Sequence, residues 1–214
     1  MAQKDNNEFY KKSIKKHGIS AQGVHWNSDF SQYKRFEILS DFIRKDIKES
    51  SIIDAGCGFG EYYNYLFDNN LKPKSYLGID CEDQMISLAS RRFLNTSFEK
   101  QDILKDKLNF ADYYICSGAM NILERDEIFI FIRKCFEASN KAFVFNFLKN
   151  DSLTNVKSFD IIGYCKTLSA NMEIKENYLS NDSFQEVIYK NKQLNSYDTM
   201  TNAKIGLNRT PMSE

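Results

Sequence analysis

The chain has 214 residues, of which 42% are hydrophobic and 27% are charged, as is typical of a globular protein with one domain or one domain plus extensions. Its 29 basic and 29 acidic residues cancel to a formal net charge of zero, so no global electrostatic argument favours a nucleic-acid partner. No stretch approaches the roughly 18 apolar residues of a membrane span, and the first residues lack the apolar core of a signal peptide. The five cysteines are scattered without a Cys-x-x-Cys pair, so neither a disulfide framework nor a zinc site is expected, and a reducing cytoplasm fits best.

The first part of the chain, residues 1–49, is expected to form a helical cap or lid. Residues 1–20 carry many lysines and a short apolar face, a composition that lids and frayed termini share, so both interpretations stay open. Ser28 or Asp29 can then cap a helix, because apolar side chains recur at helical spacing over residues 30–48. This pattern predicts one long amphipathic helix immediately before the central part of the chain.

The centre of the sequence is the stretch S-I-I-D-A-G-C-G-F-G-E-Y-Y-N-Y, residues 51–65. An apolar strand ends at Asp54, three glycines follow at alternate positions, and a helical pattern begins after them. Glycine permits positive φ and a close approach of the backbone to a ligand, while the helix start offers unpaired N–H groups. The stretch therefore predicts a strand, a tight turn and a helix that together can hold a ligand.

Two phosphate-binding motifs do not fit this turn. The dinucleotide fingerprint G-x-G-x-x-G needs a third glycine where this chain has Glu61, and a carboxylate at a helix start would repel phosphates. A phosphate-binding loop of the form G-x-x-x-x-G-K-[ST] does not occur in the sequence. A tight turn that binds nothing is the remaining alternative.

Strands and helices alternate through the rest of the chain. The expected strands after the glycine turn cover residues 75–80, 96–101, 111–118, 142–148, 171–179 and 183–190. The expected helices cover residues 61–69, a segment starting near residue 82, residues 124–138 and residues 159–168. Residues 180–182 close a hairpin, and residues 191–214 are polar without periodicity and are interpreted as a tail. The alternation predicts an α/β core over residues 50–190, a doubly wound parallel sheet that ends in an antiparallel hairpin.

Polar residues stand where several of these strands end. Asp80 ends the second strand, where an acid can accept both hydroxyls of a ribose in a doubly wound nucleoside site. Ser117 and Asn121 follow the fourth strand, next to the predicted switch point between the first and fourth strands, where open sheets bind ligands. Asn146 lies inside the fifth strand and is either a satisfied core amide or a wall of an acceptor pocket.

The run D-A-G-C-G-F-G resembles motif I of the class I S-adenosylmethionine (SAM) methyltransferases. The run S-G-A-M-N at residues 117–121 resembles the S-G-x-x-N of a group of small bacterial members, and H-W-N-S-x-x-S-Q-x-x-R-F-E-x-L from His25 resembles the helix that precedes motif I in that group. The resemblance covers about residues 21–190. It implies a Rossmann-like seven-stranded sheet of order 3-2-1-4-5-7-6, SAM as cofactor and S-adenosylhomocysteine (SAH) as product.

The resemblance also implies a set of cofactor-binding residues. Gln32 and Arg35 are expected to meet the SAM carboxylate, and Asp102 is expected to accept the adenine amine while the N–H of Ile103 reaches a ring nitrogen. The full expected set is Gln32, Arg35, Asp54, Ala55, Gly56, Gly58, Gly60, Asp80, Cys81, Met85, Asp102, Ile103 and Ser117.

Three of these assignments have plain structural alternatives. Arg35 can instead be a surface residue paired with Glu37 or Asp41, since such pairs are common and contribute little. Met85 can pack on the adenine or simply fill the core. Asp102 can be an ordinary turn acid.

The catalytic residues are harder to predict, because methyl transfer from SAM mainly needs an aligned acceptor, exclusion of water and sometimes removal of a proton. His25, which titrates near neutrality, and Asn121 are the expected catalytic residues, with a structural histidine beside Trp26 as the alternative. The fourth strand lacks both [DNS]-P-P-[YFW] and a Pro-Cys nucleophile, so Cys116 is expected to be an inert buried thiol. No carboxylate cluster supports a catalytic metal.

The expected function is transfer of a methyl group from SAM to a small-molecule or glycan-precursor acceptor, with a sugar or phosphoryl hydroxyl favoured. Members that resemble this chain often serve bacterial surface-polysaccharide modification, which is an association and not a physical argument. A protein that binds SAM or SAH as a non-catalytic partner is one alternative. A short-chain NAD-type oxidoreductase is another, and Glu61 argues against it.

Overall fold

The computed structural model describes residues 29–148, 156–179 and 183–190, and these residues form a seven-stranded sheet flanked by helices. The strands are β1 (Ser51–Ala55), β2 (Ser75–Asp80), β3 (Ser97–Lys100), β4 (Ala111–Ser117), β5 (Ser139–Leu148), β6 (Met172–Glu176) and β7 (Ser183–Tyr189). Their order is β3-β2-β1-β4-β5-β7-β6, with β7 antiparallel to both β5 and β6 and the other pairs parallel. The sheet order and the antiparallel hairpin confirm the predicted doubly wound, Rossmann-like architecture.

The helices cover both faces of the sheet. They are α1 (Asp29–Ile43), α2 (Glu61–Asp68), α3 (Asp83–Arg92), α4 (Arg125–Ala138) and α5 (Ser158–Leu168), with short 3-10 helices at Ile47–Glu49 and Ala119–Ile122. Each face packs its own hydrophobic cluster. The helix α4 begins with a capping box, in which Glu124 and Glu127 bond each other's backbone N–H groups, as the acidic residues at that helix start favour.

The register of β4 and β5 shows which residues share a face. Tyr114 pairs with Phe143, and both belong to the cluster under α4, whereas Tyr113 pairs with Ala142, and both belong to the cluster under α1 and α2. Because side chains alternate along a strand, the next pairs on the α1 side are Ile115 with Val144 and then Ser117 with Asn146. The last row on this face is therefore polar where the earlier rows are apolar.

The helix before β1 ends earlier than expected. One helix was predicted over residues 30–48, but α1 ends at Ile43, and Asp46, just before the 3-10 helix, has φ −134° and ψ 15°, outside the helical region. Asp46 accepts a hydrogen bond from the Tyr113 hydroxyl at 2.8 Å and pairs with the Lys141 ammonium at 2.6 Å. These contacts to β4 and β5 take Asp46 out of the helix, an effect that local spacing cannot reveal.

Strand β5 also differs from its prediction, since it begins at Ser139, not at residue 142. Ser139 pairs with Ala111 at the start of β4, so the neighbouring strand extends β5 by three residues.

The helix α1 packs on this part of the sheet through a row of buried apolar side chains. They are Phe36, Leu39 and Ile43.

Several predictions concern residues outside the described ranges. The proposed lid over residues 1–20, His25, the hairpin turn at 180–182 and the tail at 191–214 lie there, and so they stay predictions. Within the described ranges, no helix combines the length and the apolar character that crossing a membrane requires.

Candidate functional site

The glycine turn after β1 has the backbone geometry that its sequence predicts. Gly56, Gly58 and Gly60 have φ values of 79°, 53° and 80°, in the left-handed region that glycine adopts without strain. The N–H groups of Gly56 and Cys57 donate to the carbonyl of Ile79 at 2.8 and 3.0 Å. The turn is thereby attached to the end of β2, and the chain enters α2 directly after it.

Asp80 connects the end of β2 to this turn. Its Oδ2 accepts the N–H of Gly58 at 3.0 Å, and its Oδ1 accepts the N–H of Glu82 at 2.9 Å. Burial raises the pKa of Asp80 to about 6, and these backbone donors partly offset the rise. Each oxygen has a second lone pair for a ligand hydroxyl, so the carboxylate can support the turn and bind a ligand together.

Asp54, at the end of β1, is the second buried carboxyl of the site. The side chain is 2% exposed and accepts the Tyr76 hydroxyl at 2.6 Å. Burial raises the pKa of Asp54 to about 7, with a further contribution from the charge of Asp80, while the Tyr76 hydrogen bond opposes the rise. Two carboxyl groups that are acidic in water are thus held partly protonated near neutral pH.

These raised pKa values predict that the unliganded protein loses stability between about pH 4 and pH 7. In this window the folded state holds protons that the unfolded chain has released, so the free energy of unfolding falls as the pH rises. We expect a loss of at least about 2 kcal/mol between pH 5 and pH 8. Urea unfolding at the two pH values measures it, and Asp54→Asn should remove much of the difference. An identical pH dependence in wild type and Asp54→Asn would contradict the assignment.

A cavity of about 370 Å³ lies between the glycine turn and the carboxyl ends of β1, β2 and β4. This volume is within the range of small-molecule sites, and the position is the topological switch point of the sheet. Ten of the expected cofactor-binding residues line it. They are Gln32, Asp54, Gly56, Gly58, Asp80, Cys81, Met85, Asp102, Ile103 and Ser117.

Four other expected site residues do not line the cavity. Ala55 is fully buried in β1, and a side-chain atom on Gly60 would lie 2.9 Å from the Phe93 and Phe98 rings, so Gly60 serves the packing of the turn. Asn121 lies on the 3-10 helix after β4, and its Oδ1 is buried without a hydrogen-bond partner among the described residues. The remaining one is Arg35.

Arg35 is buried, and its surface-pair alternative is wrong. The side chain is 7% exposed, and its Nη1 donates to the carbonyl of Ser31 at 2.9 Å. Glu37 pairs with Lys34, and Asp41 pairs with Arg44, each at 2.8 Å. Burial lowers the pKa of the Arg35 guanidinium.

Asp102 has the geometry of a turn acid at the edge of the cavity. Its Oδ1 accepts the N–H of Leu104 at 3.0 Å, and its Oδ2 pairs with Lys105 at 2.8 Å. Asp106 accepts the N–H of Asp102 at 2.7 Å. Both earlier interpretations therefore remain compatible, because an ordered turn acid can also accept a ligand amine.

Sequence reasoning missed one wall of the cavity, which is largely apolar. It comprises Leu104, Ile122, Leu123, Ile130 and Phe131, with Gln101, Lys105 and Glu127 beside them. Ile130 is 37% exposed although it lies on the amphipathic helix α4, and that break in the apolar pattern is the signal that could have identified it. The wall adds an apolar surface to a cavity that the glycine turn and the strand ends also line.

Glu61 was expected to repel phosphates, and the structure shows how it is held. Its carboxylate lines the cavity and pairs with Arg92 at 2.6 Å, while Arg92 also donates to the carbonyl of Phe59 at 2.9 Å. The position that a dinucleotide fingerprint fills with glycine thus carries an ordered acidic side chain.

All five cysteines lie in the described ranges, and all are free thiols. Burial raises the pKa of Cys116 to about 12, so this thiol stays protonated near neutral pH, as expected for an inert residue. Across the described part of the chain, no group of three or more His, Cys, Asp or Glu side chains could hold a metal ion.

Residues 52–141 match the sequence model of a family described as a methyltransferase domain. This region contains β1 to β4, the glycine turn and most of the cavity wall. The described residues have the Rossmann-like sheet order of the methyltransferase fold. The match supports the methyltransferase resemblance of this region, while the assignment of the D-A-G-C-G-F-G run to motif I stays a prediction.

A curated relative of the methyltransferase domain is the putative methyltransferase 235L of Invertebrate iridescent virus 6, which is 30% identical over 89 residues. The match covers 39% of this chain and 33% of the relative, so the chain spans about a third of that protein's length.

Solved structures share the fold. A TehB-like SAM-dependent methyltransferase from Corynebacterium glutamicum is 18% identical with a TM-score of 0.64, over 89% of this chain and all of that chain. The magnesium protoporphyrin IX methyltransferase of Synechocystis, solved with bound SAH, is 15% identical with a TM-score of 0.61, over 75% of this chain and 84% of that one. The DhpI–SAH complex is 11% identical with a TM-score of 0.67, over 86% and 94% of the two chains. At these identities the likeness shows the fold alone.

Proposed function

We propose that the protein is a SAM-dependent methyltransferase that acts on a small-molecule or glycan-precursor acceptor. The observation that carries this proposal is the cavity at the switch point, which joins a glycine turn and a buried carboxylate to an apolar wall. Such a lining suits a nucleoside with a zwitterionic amino-acid arm, because it offers close backbone approach and a hydroxyl acceptor without a phosphate-binding device. Two of the structural relatives above were solved with SAH.

The residues of the cavity divide between the parts of the cofactor. Asp80 accepts the ribose hydroxyls with Cys81 beside it, and Asp102 with the N–H of Ile103 holds the adenine edge against Met85. The backbone of the glycine turn, from Asp54 and Ala55 through Gly60, lies under the amino-acid arm. These roles rest on the resemblance and, for all of these residues except Ala55 and Gly60, on the shared lining of one cavity.

The amino-acid end is assigned to the start of α1. Gln32 lines the cavity and is 5% exposed, and Arg35 lies one turn farther along the same helix at 7% exposed. A guanidinium fork suits a carboxylate, and its burial strengthens the attraction because water does not screen it. Ser117 lies across the cavity from this helix at the end of β4.

The cofactor supplies an activated methyl group on a sulfonium, and the protein has to align an acceptor and exclude water. We keep Asn121 as an orienting residue, because its side-chain oxygen is buried beside the end of β4.

His25, in the sequence before α1, is proposed as base or orienter. His25→Ala should lower turnover at least tenfold while SAM affinity stays within twofold, and unchanged turnover would remove His25 from the mechanism.

The acceptor is proposed to be a hydroxyl on a sugar or phosphoryl compound, with a role in bacterial surface-polysaccharide modification in the cytoplasm. The formal net charge of zero supports a small acceptor over nucleic acid.

A non-catalytic SAM- or SAH-binding partner is the second candidate. The favouring observation is the short inventory of candidate bases in the sequence, which has two histidines, His17 and His25. Binding of SAM without turnover across a panel of hydroxyl acceptors would favour this second candidate.

Titration calorimetry with SAM, SAH and NAD tests the proposed function. We expect micromolar binding of SAM and SAH and no binding of NAD, because the ion-paired carboxylate of Glu61 stands where a pyrophosphate would need glycine. If neither SAM nor SAH binds, the glycine turn is only a structural turn and the cofactor roles above are withdrawn.

A further inference from the structure

The fully buried amide of Asn146 is the least satisfied polar group in the described part of the sheet. Asn146 is 0% exposed near the C-terminal end of β5, and neither its Oδ1 nor its Nδ2 has a hydrogen-bond partner among the described residues. Buried polar side chains are almost always bonded, and a buried group without a partner destabilises the folded state. An amide that leaves both its donor and its acceptor unpaired therefore needs an explanation.

Ser117 is the neighbour of Asn146 and has the same property. The two residues pair in the parallel register of β4 and β5, so their side chains lie on the same face, about 4.8 Å apart in the pairing direction. The Oγ of Ser117 is also buried without a partner among the described residues, although Ser117 lines the cavity. A row of unpaired donors and acceptors thus begins at the cavity and continues one strand inward.

The face on which this row lies is the one that α1 covers. Ile115 and Val144 precede Ser117 and Asn146 on this face, and both belong to the apolar cluster to which α1 contributes. Helix α1 contributes the buried Gln32 above the cavity. The change from apolar to polar rows occurs at the carboxyl ends of the strands, where a ligand of this sheet has to bind.

We propose that Ser117 and Asn146 form the polar end of the acceptor subsite and bind one group of the acceptor that both donates and accepts a hydrogen bond. This inference rests on the proposed methyltransferase function. The amide offers an N–H donor and a carbonyl acceptor, and the serine hydroxyl offers either, so the pair matches a hydroxyl. An ether or ester oxygen only accepts hydrogen bonds, so it would leave the Asn146 Oδ1 unpaired. Ser117 and Asn146 carry no positive charge that would attract an anion. The subsite therefore selects neutral hydroxyl-bearing acceptors.

The test uses the SAH-loaded protein and two small probes that share an O–C–C–O unit, one with hydroxyl donors and one with methyl groups in their place. Ethylene glycol carries hydroxyls, whereas 1,2-dimethoxyethane has the same carbon–oxygen arrangement without a donor. The side-chain ¹⁵N–¹H signals of Asn146 are followed by NMR during each titration. We expect a saturable shift with ethylene glycol and none with 1,2-dimethoxyethane. We also expect at least tenfold weaker glycol binding in Asn146→Leu and in Ser117→Ala, and for Asn146→Leu an SAH affinity within twofold of wild type.

Stability measurements separate this role from a purely structural one. Leucine nearly matches the shape of asparagine, so Asn146→Leu should keep or raise the melting temperature if the amide has no structural partner. Ser40→Ala is the matched control, because Ser40 is equally buried but bonds the Tyr62 hydroxyl at 3.1 Å. This control should lower the melting temperature and leave glycol binding unchanged.

Two results would overturn the subsite. The first is an Asn146 signal that does not respond to glycol in the SAH complex, which would mean that the amide only holds trapped water. The second is a lower melting temperature for Asn146→Leu with unchanged glycol binding, which would mean a structural amide. In both cases SAH still binds, whereas failure of SAH to bind the wild type would instead remove the proposed function.

Discussion

Replacing Asp80 by alanine is expected to weaken SAM binding at least about 100-fold, because charge-assisted hydrogen bonds to two ribose hydroxyls are lost together. The same change also removes two hydrogen bonds of the wild type. In the wild type the N–H groups of Gly58 and Glu82 donate to the Asp80 carboxylate at 3.0 and 2.9 Å. The turn then loses its connection to the end of β2. Titration calorimetry with SAM at pH 7.5 measures the loss.

Two further variants separate the contributions to that loss. Asp80→Asn keeps the shape and one acceptor oxygen but removes the charge, so we expect an intermediate loss of about tenfold. Asp83→Ala, three residues later, removes an exposed carboxylate that pairs with Lys100 and should leave SAM affinity within twofold. If Asp80→Ala binds SAM as tightly as Asp83→Ala does, Asp80 does not hold the ribose.

The second large effect is expected for Gly56→Ala, which should abolish SAM binding and lower the free energy of unfolding by about 2–4 kcal/mol. A Cβ on Gly56 would lie 2.2 Å from the Cβ of Ala119, which no real contact tolerates, and the φ of 79° adds strain for any L side chain. The 3-10 helix that carries Ala119 also carries part of the cavity wall, so the displaced backbone would distort the site. Chemical unfolding and calorimetry measure the two effects.

The clash can be tested by a partner substitution and a control. Gly56→Ala combined with Ala119→Gly removes the contact and leaves only the backbone strain, so more than half of the lost stability should return. Gly163→Ala changes a glycine in α5 whose Cβ would have no neighbour within 4 Å, and it should stabilise the protein by about 0.5–1 kcal/mol. Equal destabilisation by Gly56→Ala and by the double substitution would show that the contact with Ala119 is unimportant.

The topology was predictable because it depends on patterns that recur along the chain. Alternating strands and helices, a glycine turn after the first strand and a closing hairpin indicate a doubly wound sheet, whatever the side-chain details. The ends of elements were less predictable. Asp46 ends α1 through contacts with Tyr113 and Lys141, which are 67 and 95 residues away in the sequence.

The candidate site was partly predictable for the same reason. Residues attached to a strand end or to the glycine turn, such as Asp80 and Gly58, could be placed because the sheet brings strand ends to one edge. The apolar wall around Leu123 and Ile130 was missed, because the sequence alone does not show that the segment after β4 and the partly exposed side of α4 border one cavity.

The sequence by itself determined the alternation of strands and helices, the positive-φ turn and the chemical types at the strand ends, and the family resemblance implied the sheet order. The reason is that local periodicity and the conformational freedom of glycine are properties of short segments. Only the tertiary structure decided that Arg35 is buried, that Asp54 shares a proton-sensitive site with Asp80, and that Ser117 and Asn146 stand side by side. Burial, pKa and unpaired hydrogen-bonding groups depend on residues that the fold brings together from distant parts of the chain.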